Sequence, residues 1–141
     1  MANKYWVGGG SSTNWDATGN PNWSNTDGGS NNASVPANGD DVFLKSSADC
    51  AVNVNTANLN SFDMTGYSGS MAWASTIKVI PASGTVNCKT AGTITGIGYF
   101  QLGPANGATI NLTTNGKSFI FLNIYGGTAG GIVNMMDALA I

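Results

Sequence analysis

Histidine, glutamate and arginine are missing from the sequence, so every base is one of five lysines and every acid one of seven aspartates. Without His and Glu the commonest proton-transfer groups are gone, and no His-based triad can be assembled. The same shortage, with only two cysteines, sets zinc aside. Charged residues make up 9% of the chain, against roughly 25% in an ordinary soluble domain. The net charge is −2, and Lys4, Lys45, Lys78, Lys89 and Lys117 lie far apart. No clustered basic surface results, and no nucleic-acid partner is expected. No apolar run reaches the length of a membrane span. The opening MANKYWVGGG also lacks the apolar core of a secretory signal.

What is present points to strands. Helix builders such as Glu, Lys, Arg, Gln and Leu are scarce, while Thr, Val and Ile favour strands and Gly and Asn punctuate turns. The 141 residues fit one domain, or one with a small appended element. Composition shifts near residue 40. Residues 1–40 are polar and turn-rich with isolated aromatics, and read as a loop-rich cap or attachment segment. Residues 41–141 carry short apolar-alternating runs bounded by Gly, Asn, Ser or Pro, beginning at Val42–Lys45, Cys50–Val54 and Leu59–Met64. The final GGIVNMMDALAI reads as a strand that turns helical. Cys50 and Cys88 read as small buried apolar side chains, a disulfide being the alternative.

Three segments share one pattern: AVNVNTANL (51–59), TVNCKTAGTI (85–94) and TINLTTNGKSF (109–119). Aligned, Val52, Val86 and Ile110 correspond, as do Asn53, Asn87 and Asn111, and then Val54, Cys88 and Leu112. A short β-solenoid (β-helix) accounts for this, because each coil stacks its strands on equivalent strands of the next. Asn at a repeated position can then form a hydrogen-bonded ladder. The alternative is a β-sandwich or jelly roll, which also yields many short strands. Either way the chain is expected to be all-β.

Chemistry is hard to find. Asp40 and Asp41 are the only adjacent carboxylates, and strand neighbours point to opposite faces, so no catalytic pair is expected. The single aspartates sit among turn residues, where Asp bonds local backbone. Calcium is the one metal with candidate ligands, Asp27, Asp40 and Asp41, in TDGGSNN and NGDD. Neither segment has the oxygen spacing of a calcium loop. No cofactor is expected.

The remaining candidates are aromatic. Tyr5, Trp6, Trp15 and Trp23 stand where Val7 is the only aliphatic larger than Ala between the initiator and Ser34. Their rings therefore read first as anchors supplying a core to the cap. The competing role is contact with a glycan or a partner, for which Trp15, Trp23 and Trp73 are the candidates.

The opening YWVGG…NWDATGNPNWS, then ASVPANGDDVFL, then VNVNTANLNSFDMTGYSGSMAW resembles the N-terminal regions of tailed-bacteriophage virion proteins of fibre, decoration or appendage type. The resemblance covers residues 5 to 75. Within it, Pro36 to Val42 leads into the first coil and Leu59 to Gly69 forms part of the next. It implies a β-helical, non-enzymatic structural protein, attached to the capsid or tail and working as a homotrimer beside other virion proteins. Such a protein is made in the host cytoplasm and resides in the virion. Related openings occur in bacterial surface and secreted β-helix proteins. The alternative it leaves is therefore an extracellular or cell-surface adhesin that binds a host surface glycan.

Overall fold

The computed structural model describes residues 1–73, 78–81, 84–88, 93–96, 99–102, 108–113, 121–124 and 130–137. The protein is all-β, and among the described residues there is no helix. Strands β1 to β7 are Asn3–Trp6, Trp23–Ser24, Asp41–Leu44, Cys50–Val52, Asn58–Leu59, Ser61–Asp63 and Ser70–Trp73. Strands β8 to β14 are Lys78–Pro81, Gly84–Asn87, Thr93–Gly96, Tyr99–Leu102, Thr109–Thr113, Phe121–Ile124 and Ile132–Met135.

These short strands form three sheets, ordered β14-β12-β9-β6-β3-β1-β2, β10-β7-β4 and β13-β11-β8-β5. The chain visits them in rotation: β3, β4 and β5 fall in the three sheets in turn, then β6, β7 and β8, then β9, β10 and β11. Each visit adds a strand parallel to the previous one in that sheet. The seven-stranded sheet is mixed, since β2 runs antiparallel to β1.

Alternation in each strand decides what faces the interior. In the seven-stranded sheet, register places Val42 beside Phe62, Phe62 beside Val86, Val86 beside Leu112, and Leu112 beside Met135. Val42, Phe62, Val86 and Leu112 are fully buried, each such burial contributing about 1.5–3 kcal/mol. The flanking positions face outward. One outward row runs Asn3, Asp41, Ser61, Thr85, Asn111, Asn134, and another Tyr5, Phe43, Asp63, Asn87, Thr113. Apart from Tyr5 and Phe43, these rows are polar.

Leu59–Met64, read from sequence as one strand, is broken at Asn60 into β5 and β6, which belong to different sheets. The next visit turns at Gly84, which has φ +67°. A Cβ there would stand 2.9 Å from the Asn60 carbonyl oxygen, so glycine suits both the turn and the close approach.

The repeat alignment needs correction. Val86 stands beside Leu112, not Ile110, and Asn87 beside Thr113, not Asn111. Val52 lies in another sheet, paired with Trp73. Apolar-Asn-apolar recurs on more than one sheet, and the pattern alone cannot distinguish registers two residues apart. An asparagine contact does form one rung further on, where the Asn134 side-chain amide donates to Asn111 Oδ1 at 2.9 Å.

β1 is a full member of the large sheet, parallel to β3, with Lys4 and Trp6 turned inward. Residues 138–141, where a helical turn was expected, lie outside the described residues.

Candidate functional site

Residues 1–40 are held together by a cluster of aromatic and polar contacts. Trp6, Trp15 and Trp23 are 0–1% exposed. Trp23 meets Trp6 and Trp15 edge to face at centroid distances of 5.1 and 4.6 Å, while Trp6 and Trp15 lie near-parallel at 6.5 Å. The polar edges are satisfied as well. Trp23 Nε1–H donates to the Trp15 carbonyl at 2.8 Å, and Trp6 Nε1–H to the Ala48 carbonyl at 3.1 Å. All three indoles are buried, and the N–H groups of Trp6 and Trp23 are engaged within the protein. The side chain of Trp73 lies outside the described residues.

Asn22 joins the loops around this cluster and is 1% exposed. Its amide nitrogen donates to the carbonyls of Ser12 and Asn14, and its Oδ1 accepts from the Gly10 amide. Its own carbonyl accepts from Val7 and Gly8. Lys4 is buried too, and its ammonium donates to Asn25 Oδ1 at 2.9 Å and Ser34 Oγ at 3.1 Å. Sequence reading assigned neither residue a role. A lysine at an inward strand position, with polar residues later in the segment, was the available signal.

The segment covers one edge of every sheet. β2 pairs with β1, and Ala33 pairs with Trp23 beyond it. Trp15 N–H donates to the Ala51 carbonyl and Ala51 N–H to the Thr13 carbonyl, both at 2.8 Å, which covers β4. Gly39 N–H donates to the Asn58 carbonyl, and Asn58 N–H to Asn38 Oδ1, at the edge of β5.

The three calcium candidates do not converge. Asp27 pairs with Lys45 at 3.3 Å, beyond the far end of β3 from Asp41. Asp40 is buried and accepts from the amides of Ala2 and Ala37 at 2.8 and 3.0 Å. Asp41 turns to the outer face and accepts from the Asn60 and Ser61 side chains. Burial pushes the Asp40 carboxyl up, but the Ala37 and Ala2 amides, Lys4 and the N-terminal ammonium outweigh it and hold it below the usual range. Among the described residues no group of three or more metal-ligating side chains occurs.

Tyr5 and Phe43, partners across β1 and β3, stack at 4.9 Å and are half-buried on the outer face. The Lys45 ammonium stands 5.8 and 5.3 Å from their ring centroids. Beside them opens a cleft of about 260 Å³ lined by Trp6, Val7, Asp27, Gly28, Lys45 and Ser46 among others. Its charged lining is the Lys45 ammonium and the Asp27 carboxylate that pairs with it.

Cys50 and Cys88 are unpaired and buried. Burial, with the charges of Asp137 and Asp63, pushes the Cys88 thiol up to about 12, and burial alone raises that of Cys50.

The chain matches no known protein-family profile, no curated protein and no solved structure.

Proposed function

We propose that this chain is a non-enzymatic structural protein of a bacteriophage particle, a short β-solenoid that attaches to the capsid or tail as a decoration or fibre component. The observation that carries this reading is the employment of the carboxylates. From Asp16 to Asp63, each accepts a hydrogen bond from a neighbouring loop or strand: Asp16 from Asn53, Asp27 from Lys45, Asp40 from Ala2 and Ala37, Asp41 from Asn60 and Ser61, Asp49 from Ser70 and Asp63 from Thr65. Groups spent on holding turns together suit a scaffold. The parallel strands added visit by visit to three sheets support the solenoid, and the resemblance over residues 5 to 75 supports the virion setting.

Mass spectrometry of purified particles encoded by the same genome tests this. The chain is expected at a fixed copy number in particles that survive gradient sedimentation, and its absence from them contradicts the reading.

The cleft beside Tyr5 and Phe43 favours a second reading, an extracellular adhesin that binds glycan there. Glycan-array binding that Lys45→Ala abolishes in a still-folded protein supports it, and no binding to any glycan removes it.

A further inference from the structure

Among the described residues, no strand follows β14 at the end of the large sheet opposite the cap. β14 pairs with β12, and among the described residues nothing pairs with its other edge. Met135, aligned with fully buried Leu112, is 42% exposed. Ile132 and Met136 on the same segment are 54% and 60% exposed, and Ile124 of β13 is 47% exposed. Natural sheet edges are commonly blunted by Lys, Pro or a bulge. From Gly130 to Met136 there is neither a charge nor a proline, and the pairing with β12 is regular.

The cap cannot take this edge in another copy, because residues 1–40 already cover the opposite edge of all three sheets. A flank-to-flank assembly has little apolar surface to bury on the large sheet beyond the stacked Tyr5 and Phe43, since its outward rows are otherwise polar. What fits β14 is β14 itself. We propose that a second copy of this chain pairs antiparallel with β14 about a two-fold axis at Asn134.

The hydrogen bonds set the register. Ile132 and Met136 turn their amides to Ala108 and Leu112, at 3.0 and 2.9 Å. Alternation then directs the N–H and C=O groups of Val133 and Met135 to the free edge. A two-fold axis at Asn134 sets Val133 opposite Met135 of the second copy, so each pair exchanges both of its hydrogen bonds. It also sets inward apolar side chains against inward ones, and Ile132 against Met136 outside. No like charges meet within the paired segment. Such a contact uses the same surface on both copies and closes as a dimer rather than growing into a filament. It needs no virion partner, so it stands apart from the reading above.

Native mass spectrometry with a cysteine variant tests the proposal. The wild-type chain is expected at about twice 14.3 kDa. Met135→Lys is expected to return it to a single copy with an unchanged circular dichroism spectrum. Asn134 lies in a non-hydrogen-bonded pair, where Cα atoms stand about 4.5 Å apart, within disulfide reach. Asn134→Cys, on an exposed side chain, is expected to give a disulfide-linked dimer under mild oxidation, with Cys50 and Cys88 too buried to compete. A monomer at every concentration overturns the proposal. So does a trimer, or a dimer that survives Met135→Lys and yields no Asn134→Cys crosslink. If Met135→Lys fails to fold, the crosslink alone decides.

Discussion

Trp23 donates its indole N–H to the carbonyl of Trp15 at 2.8 Å while its ring meets the Trp15 ring edge to face at 4.6 Å. One residue thus supplies apolar area and a polar tie at the centre of the cap. Trp23→Phe keeps most of the area but leaves a buried carbonyl without its donor, at a cost of about 1–3 kcal/mol. Trp23→Ala also opens a cavity and is expected to cost about 3–5 kcal/mol. Urea unfolding of both variants checks the order. A Trp23→Phe variant as stable as the wild type would mean that the hydrogen bond contributes nothing.

Asp40 makes the cap acid-sensitive. Its carboxyl is held below its unfolded value, so the folded state gains from the charged form. That contribution is fully present above about pH 4, the unfolded range, and is lost as pH falls through the lower folded value. Asp40→Asn is expected to lower stability at neutral pH by about 1–3 kcal/mol and to flatten the drop toward pH 3. Unfolding midpoints at pH 7 and pH 3 for both proteins measure this.

The two thiols report on global opening. Cys50 and Cys88 are 0–1% exposed, and burial holds both in the unreactive thiol form. Labelling by a disulfide reagent at pH 8 is expected to be slow in the native protein and immediate in denaturant, for both residues together. Rapid labelling of either one in the native state would place it outside the core.

Gly84 combines a positive φ with a carbonyl 2.9 Å from where a Cβ would stand. Gly84→Ala therefore strains the backbone and crowds Asn60, and is expected to cost more than about 1 kcal/mol. Gly28, which has φ +63° and open space around its Cβ position, carries the backbone penalty without the clash. The smaller loss is expected for Gly28→Ala in the same unfolding assay.

Composition and alternation sufficed to read an all-β chain, because both are local properties of a strand. The aromatic opening was legible for a similar reason: with Val7 as the lone larger aliphatic, the rings had to supply a core. Register was not legible. Val86 falls beside Leu112 because of the lengths of the turns between them, and both Ile110 and Leu112 satisfy the alternation. Nor could alternation reveal that Asn60 turns a corner between two sheets, since Leu59 and Phe62 are apolar on either reading. Asn22 and Lys4 were missed because buried polar side chains look like surface residues until the loops around them are placed. The cleft at Lys45 and Asp27 joins residues brought together by the pairing of β1 with both β2 and β3.

Two contrasting ends define the described residues, one sealed by residues 1–40 and one where β14 has a single strand partner. Hydrogen exchange read amide by amide at increasing protein concentration tests that contrast most directly. The amides of Trp15 and Ala51, bonded across the cap, are expected to be protected at every concentration. Those of Val133 and Met135 are expected to exchange freely when dilute and become protected as a second copy docks. Exchange at Val133 and Met135 that does not change with concentration would contradict the account.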